Sequence, residues 1–232
     1  MASRFHKWIK DWERKQREKY THDLSTPEQR KLSQRYLNWV DHGILRYRWH
    51  NFAEIAPGVF RSNHPTRERF QAYADQGIKT VLNLRGANNL SPYVIEKEIC
   101  DDLEITLVNQ AFTARKAPEK HRLLEIMDVM DNLPKPFLMH CKSGADRTGL
   151  MAAIYLLHVV GAPVAEARKQ LSIRFVHLNF TKTGILDYVI DTYAKRNAET
   201  GISFRDWVAT EYDKDAAQRT FDAMGFWQRI KL

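Results

Sequence analysis

HCKSGADRTG, residues 140–149, lies between the short apolar segment Pro136–His140 and an apolar run that continues to about Val160. The short segment predicts a strand, and the longer run predicts a buried helix. A tight loop between a strand and a helix turns successive backbone N–H groups toward one point, and the helix N-terminus adds its positive end. The sequence therefore predicts a site for an anion such as phosphate.

Three residues of this loop suit phosphate chemistry. Gly144 allows the backbone to approach a ligand closely or to take a positive φ. Arg147 carries a planar guanidinium that binds two phosphate oxygens at once, which lysine does not do equally well. Cys141 lies among N–H dipoles that favour its thiolate, and such sites lower a cysteine pKa to about 3.5–7.5. We therefore predict that Cys141 is a nucleophile at neutral pH.

The whole string resembles the His-Cys-x5-Arg-Ser/Thr signature of the cysteine-dependent protein tyrosine and dual-specificity phosphatases. Two upstream stretches, GVFRSNHPT (58–66) and GIKTVLNLRG (77–86), resemble the opening strands of compact bacterial members, so the resemblance covers about residues 51–196. It implies a dual-specificity-phosphatase-like α/β fold, with helices flanking a largely parallel central sheet. It also implies phosphomonoester hydrolysis through a phosphocysteine intermediate, without a cofactor or a metal ion.

The resemblance implies a role for each residue of the loop. Cys141 attacks phosphorus, the Thr148 hydroxyl donates to the sulfur as it leaves, and His140 orients the cysteine. The equatorial phosphate oxygens are bound by the loop N–H groups and the arginine, that is by Lys142, Ser143, Gly144, Ala145, Asp146 and Arg147.

The pattern of the chain outside the loop also predicts an α/β fold, because strand and helix signals alternate after residue 51. The predicted strands are 59–61, 79–84, 105–109 and 136–140. The predicted helices are one that begins after Thr26, then 66–76, 92–101, 118–131, 148–160, 163–171, 183–196 and 203–224.

The proton donor departs from the family pattern. Such phosphatases usually carry an Asp on a loop about 30–40 residues before the cysteine, where it protonates the leaving oxygen. The matching segment here, Ala111–Glu119, contains no Asp. We place Asp146 first as the acid and Glu119 second. Each residue also has a structural alternative. Asp146 is equally well explained as a carboxylate that holds the shape of the loop, and Glu119 as an acidic residue that stabilises the first turn of a helix.

The substrate stays open between two classes. A tyrosine or dual-specificity protein phosphatase is the first interpretation. Lys142 resembles the phosphatase-and-tensin lipid phosphatases, and an Asp before the arginine resembles phosphoinositide phosphatases, so a phospholipid or inositol phosphate is the alternative. A phosphate-binding pseudophosphatase is the second alternative. Arg85, at the end of a predicted strand, either lines the pocket or forms a surface salt bridge.

The composition narrows the location and the partners. The 232 residues are 44% hydrophobic, which excludes a disordered chain, and a net charge of +8 favours anionic partners. Two cysteines, Cys100 and Cys141, are too few for a disulfide scaffold or a cysteine-rich zinc site. The charged N-terminus lacks a secretory signal pattern, so we expect a cytoplasmic protein, with peripheral contact at the inner face of a membrane as an extension. The sequence contains no base-reading motif, so we expect no nucleic-acid partner.

We divide the chain into a basic helical arm (1–50), a catalytic domain (51–200) and a C-terminal helical extension packed on it (201–232). The arm has 12 Lys and Arg against 6 Asp and Glu, and its aromatic stripe includes Trp8 and Trp12 at helical spacing. Three interpretations of the arm stay open. It packs on its own domain, exchanges onto a second subunit in a homodimer, or binds an anionic membrane through residues 1–22.

Overall fold

The computed structural model describes residues 23–232, and a five-stranded sheet lies at its centre. The strand order is β1-β2-β5-β3-β4, and the strands are β1 (Ala53–Ala56), β2 (Val59–Ser62), β3 (Thr80–Asn83), β4 (Thr106–Asn109) and β5 (Phe137–His140). β1 is antiparallel to β2, whereas the pairs β2/β5, β5/β3 and β3/β4 are parallel. The predicted α/β fold with a largely parallel central sheet is therefore confirmed.

The helices of the described residues are α1 (Pro27–Arg35), α2 (Arg67–Asp75), α3 (Ser91–Asp102), α4 (Lys120–Asn132), α5 (Asp146–Tyr155), α6 (Val164–Arg168), α7 (Ile185–Thr200), α8 (Phe204–Thr210), α9 (Lys214–Ala223) and α10 (Phe226–Arg229). Two π-helical turns continue α1 and α5, at Tyr36–Val40 and Leu156–Val160. Single 3-10 turns lie at Gly43–Tyr47, Ile173–Phe175 and Lys182–Gly184. None of the helices in the described part of the chain is long and apolar enough to cross a membrane.

Helix boundaries follow the capping signals of the sequence. Thr26 and Gln29 form a capping box at the start of α1, and Pro27 occupies the first turn. The predicted single helix 203–224 is wrong, because the chain turns at residues 211–213 and starts again as α9. Asp213 accepts hydrogen bonds from the N–H groups of Asp215 and Ala216, which caps the new helix. The apolar pattern runs through this break, so periodicity alone does not reveal it.

Two apolar cores lie against the sheet, one on each face. Successive residues of the central strands alternate between them, so that Val81 and Leu138 belong to the smaller core under α2 and α3. Leu82 and Met139 belong to the larger core, which α4, α5, α7, α8 and α9 complete. Both cores come together around β5, and the loop of residues 141–145 follows the last residue of that strand.

The described part of the arm packs beside the carboxyl ends of the parallel strands. Tyr36, Asp41 and Arg46 are buried there, while Trp39 and Leu45 are largely exposed. The aromatic stripe with Trp8 and Trp12 lies outside the described residues.

Candidate active site

The loop of residues 141–145 joins β5 to α5 and takes a shape that requires a glycine. Gly144 has a φ of +74°, and a Cβ atom at this position would lie 2.8 Å from the Ser62 carbonyl oxygen and from the Asn63 nitrogen. A side chain would therefore be strained twice, by its backbone conformation and by the neighbouring backbone. The close approach brings the end of β2 directly against the loop.

The carbonyl groups of residues 141–144 all accept hydrogen bonds from groups outside the loop. The pairs are His140 Nδ1 with the Cys141 carbonyl at 3.2 Å, His64 N–H with the Lys142 carbonyl at 3.3 Å, Asn51 Nδ2 with the Ser143 carbonyl at 3.0 Å, and Arg61 Nη2 with the Gly144 carbonyl. A trans peptide unit directs its C=O and N–H to opposite sides. Carbonyls that are held outward therefore turn the N–H groups toward the inside of the loop, where an anion would bind.

Cys141 is buried at the start of the loop, and the Gly144 N–H donates to its Sγ atom at 3.3 Å. Burial raises the pKa of Cys141, but the charge of Arg147, the Thr148 hydroxyl and the N–H groups of Thr148 and Gly144 outweigh it. The pKa of the thiol therefore lies below its ordinary value. The arrangement favours a thiolate, which is the reactive form of a cysteine nucleophile.

Arg61 lies beneath the loop and is fully buried. Its guanidinium donates to the carbonyl and side-chain oxygens of Gln170, both at 2.8 Å, and stacks on the Phe175 ring at 3.6 Å from the centroid. Burial lowers the pKa of Arg61 to about 9, so the group still carries its charge at neutral pH. Arg61 stands in the quoted segment GVFRSNHPT, but nothing in its local sequence indicates this role.

A cleft of roughly 330 Å³ opens over the sulfur. Cys141 and Arg147 lie at its base, and Arg147 Nη1 donates to the Leu84 carbonyl at 3.2 Å. The complete lining consists of His42, Leu45, Arg46, Trp49, Ala114, Arg115, Cys141, Lys142, Ser143, Asp146 and Arg147. One wall of the cleft therefore comes from residues 42–49, within the segment that the sequence assigns to the arm.

A buried carboxylate connects that wall to the rest of the site. Asp41 binds Arg85 through two hydrogen bonds of 2.8 and 2.9 Å and Arg46 through one of 2.9 Å, and Lys142 Nζ lies 3.5 Å away. Burial raises the pKa of Asp41, but the charges and hydrogen bonds of Arg85, Lys142 and Arg46 hold it below the ordinary value. Arg85 thus forms a buried ion pair and is not part of the lining of the cleft, so neither of its predicted roles describes it.

His140 lies behind the cysteine in a buried group with Glu96 and His64. Its Nε2 atom is 2.5 Å from Glu96 Oε1, while its Nδ1 atom faces the Cys141 carbonyl. Within residues 23–232, these three side chains form the one group of potential metal ligands, with ligand atoms within 4.8 Å of one another. A separation of 2.5 Å leaves no room for an ion between the two atoms, and neither atom is in hydrogen-bond geometry. The close contact with Glu96 and the hydrogen bond to the Cys141 carbonyl hold the His140 ring in place.

Asp146 faces the cleft and binds a histidine that sequence reasoning missed. Its Oδ1 atom is 2.7 Å from His177 Nδ1, and the other ring nitrogen of His177 is 2.6 Å from Asp187 Oδ2. The partners are separated by 31 and 10 residues, so no local motif signals the contact.

Two other predicted residues lie away from the sulfur. Glu119 occupies the N-cap position of α4 without a side-chain capping hydrogen bond. It forms an exposed ion pair with Lys214 at 2.6 Å, and the hydrogen bond of this pair lowers the pKa of Glu119. It is not part of the lining of the cleft. Cys100 lies in the smaller core, and burial raises the pKa of its thiol, whereas Cys141 belongs to the larger core. Both cysteines are free thiols.

Residues 56–161 match the family model described as a polymorphic toxin system phosphatase of the dual-specificity and protein tyrosine phosphatase type. No curated protein matches the sequence. Among solved structures, TpbA of P. aeruginosa is 18% identical, covers 75% of this chain and 91% of its own, and gives a TM-score of 0.50. The catalytic core of the PP-IP phosphatase Siw14 of S. cerevisiae is also 18% identical. The match covers 66% of this chain and 93% of the Siw14 core, with a TM-score of 0.51. These two structures share the fold, and the HCKSGADRTG loop lies inside the matched segment. Residues 56–161 are thus recognised as a phosphatase domain of the dual-specificity and protein tyrosine type, and the chain shares the fold of these two structures.

Proposed function

We propose that the protein is a tyrosine and dual-specificity-type phosphatase that hydrolyses phosphomonoesters through a phosphocysteine intermediate. The observation that carries the proposal is the environment of the Cys141 sulfur. The sulfur lies at the base of an open cleft, accepts a backbone hydrogen bond from Gly144 and has a lowered pKa beside Arg147. Simple phosphate binding needs the loop and the arginine, but it does not need an activated nucleophile.

In the first step, the Cys141 thiolate attacks phosphorus while the bond between phosphorus and the leaving oxygen breaks. Charge on the three equatorial oxygens is stabilised by the inward N–H groups and by the planar guanidinium of Arg147. The leaving oxygen takes a proton from Asp146, the acidic side chain that lines the cleft beside Cys141 and Arg147.

In the second step, water attacks the phosphocysteine and inorganic phosphate leaves. Asp146, now a carboxylate, accepts a proton from the water, and the Thr148 hydroxyl donates to the departing sulfur of Cys141. Each residue returns to its initial protonation state, so the cycle is balanced without a metal ion.

The substrate that the cleft suits best is a phosphorylated side chain of a protein. Leu45 and Trp49 provide an apolar wall above the sulfur, which suits an aromatic ring such as that of phosphotyrosine. An inositol phosphate is the second candidate, because Arg115 and Lys182 border a neighbouring cleft and form no ion pair within residues 23–232. Siw14, a PP-IP phosphatase, shares the fold but does not determine the substrate of this chain.

Two proposals concern the rest of the chain. We assign residues 36–49 to the catalytic unit, since they form one wall of the cleft and contribute the buried carboxylate of Asp41. We also propose that the basic residues 1–22 bring the enzyme to anionic membranes, in agreement with the net charge of the arm. A homodimer formed through the arm is the competing proposal.

The experiment compares phosphate release from a phosphotyrosine peptide, an inositol polyphosphate and anionic phospholipid vesicles, in the presence of EDTA. We expect turnover of the peptide to exceed that of the other two, and Cys141→Ser to abolish it while phosphate still binds. Cys100→Ala is the matched control and should keep its turnover. Phosphate release by Cys141→Ser at the wild-type rate would exclude the mechanism, and preference for the inositol or lipid substrate would select the second class.

A further inference from the structure

The side chain of His177 is 1% exposed and lies between two carboxylates, one of which belongs to Asp146, the residue that follows the loop of residues 141–145. We propose that His177, held by Asp187, is a positioning residue that orients the carboxyl group of Asp146 toward the leaving oxygen of the substrate. This inference rests on the proposed function, because it concerns the proton donor of the same reaction.

The hydrogen bonds of Asp146 distinguish this role from that of a loop-shaping carboxylate. A carboxylate that shaped the loop would accept its N–H groups, yet the Gly144 N–H donates to sulfur and the Ala145 N–H donates to Ser143 Oγ. Within residues 23–232, the one hydrogen bond to the Asp146 side chain comes from His177 and reaches Oδ1. The second oxygen, Oδ2, thus stays available for a group in the cleft that Asp146 lines.

The backbone that carries His177 is held against the catalytic loop. Val176, the preceding residue, has a φ of +61°, which is an unusual conformation for a β-branched side chain. Asn51 Nδ2 donates to the Phe175 carbonyl at 2.8 Å and also to the loop carbonyl of Ser143, and Arg61 stacks on the Phe175 ring. Strain of this kind persists only where the surroundings fix the chain, and it is concentrated at functional sites.

The charge of His177 suits the role. Burial lowers the pKa of His177, but the hydrogen bonds that His177 donates to Asp146 on α5 and Asp187 on α7, together with the charges of these side chains, outweigh burial and raise the pKa to about 9. The next acidic residue on α7, Asp191, is neutralised by Arg168 of α6 at 2.6 Å. At neutral pH the imidazolium therefore donates from both ring nitrogens, to Asp146 Oδ1 and to Asp187 Oδ2. Oδ2 of Asp146 is then the oxygen that holds the proton accepted from water in the second step.

One proton moves in the first step. The bond between phosphorus and the leaving oxygen breaks, and the proton on Asp146 Oδ2 moves to that oxygen. Asp146 becomes a carboxylate, and the imidazolium of His177 stabilises it through the existing hydrogen bond to Oδ1. Both protons of His177 stay on its nitrogens, and the hydrogen bond to Asp187 is kept throughout.

The test uses substrates whose leaving groups differ in acidity. Phenyl phosphate releases a phenol with a pKa of about 10, which requires protonation, whereas 4-nitrophenyl phosphate releases a much more acidic phenol that does not. We expect His177→Asn and Asp187→Asn to lower the rate of the first step, measured as phenol release in a single turnover, by about 10- to 100-fold on phenyl phosphate, with little change on 4-nitrophenyl phosphate. Asp146→Asn should show the same selective loss in the first step, and combining it with His177→Asn should add little. The second step, in which Asp146 acts as the base, is common to both substrates and is therefore left out of the comparison.

Asp191→Asn is the matched control, because it removes a partly buried carboxylate from the same helix on the side of Arg168. Any change in rate that Asp191→Asn causes should be the same on phenyl phosphate and on 4-nitrophenyl phosphate. Thermal unfolding identifies any variant that does not fold. Equal losses of rate on both substrates in His177→Asn would overturn the positioning role. The same result in Asp187→Asn, which leaves His177 itself in place, would confirm that outcome. If Asp146→Asn itself lacks the selective loss, the assignment of the proton donor fails instead, and Cys141→Ser still tests the nucleophile separately.

Discussion

Replacing Asp41 by Asn tests whether a buried carboxylate holds the arm to the catalytic site. The change removes the charge that Arg85 and Arg46 share, while it leaves the shape of the side chain nearly unchanged. The side chains of Asp41 and Arg46 are 8% and 5% exposed, so Arg46 cannot regain its hydration. Breaking a buried ion pair costs about 3–5 kcal/mol. Arg85 is 16% exposed and can turn partly to water, so we expect a loss of about 3 kcal/mol in the free energy of unfolding.

Urea unfolding at two pH values measures this loss. The neighbouring cations hold the pKa of folded Asp41 below the value of about 3.9 that applies in the unfolded chain. The stability that the charge contributes is thus complete above about pH 4 and is lost as the pH falls through the folded pKa. The difference in the free energy of unfolding between Asp41→Asn and the wild type should therefore be largest at neutral pH and smaller near pH 3.

Glu119→Gln is the control for this prediction, because it removes a carboxylate from an exposed ion pair with Lys214. Exposed pairs contribute little to stability, since water screens them. If Asp41→Asn costs no more than Glu119→Gln at neutral pH, a buried charge does not hold the arm, and the wall of the cleft needs another explanation.

Three further predictions follow from the site and the arm. Arg147→Lys should lower kcat by about 100-fold or more in steady-state assays, because an ammonium does not bind two equatorial oxygens in one plane; near-normal turnover would contradict this role. Gly144→Ala should weaken phosphate binding, measured by calorimetry, and should destabilise the fold by at least about 1–2 kcal/mol, since the residue has a positive φ against the backbone of β2; unchanged binding would refute the requirement for glycine. Deleting residues 1–22 should reduce sedimentation with anionic vesicles; equal sedimentation would remove the membrane proposal.

The catalytic loop could be predicted from the sequence because its chemistry is local. Cys141, Gly144 and Arg147 lie within seven residues, and the apolar strand and helix beside them fix the geometry. The four strands from β2 to β5 were predicted for a similar reason, since β-branched apolar runs between turn residues are themselves local signals. β1 consists of Ala-Glu-Ile-Ala, with a single β-branched residue, so it gives no such signal.

The residues that support the loop could not be predicted, because their roles depend on tertiary contacts. Asn51 and Arg61 reach the loop across 92 and 83 residues, and neither stands in a motif of its own. The same applies to Asp41, whose partners become neighbours only when the segment before β1 folds back over the strand ends. His177 is separated from Asp146 by 31 residues, and its surroundings in the sequence are those of an ordinary loop.

The hydrogen bonds that Asn51 and Arg61 donate to backbone carbonyls also have a consequence for folding. The hydrogen bonds from Asn51 to Phe175 and from Arg61 to Gln170 close 124 and 109 residues of chain, and those from the same two side chains to the loop close 92 and 83. Contacts between residues so far apart in sequence form slowly, because a long loop must close before they contribute. We expect the sheet and helices to form first and the anion-binding loop to be completed last. A nascent or partly folded chain would then have most of its secondary structure and yet no catalytic power.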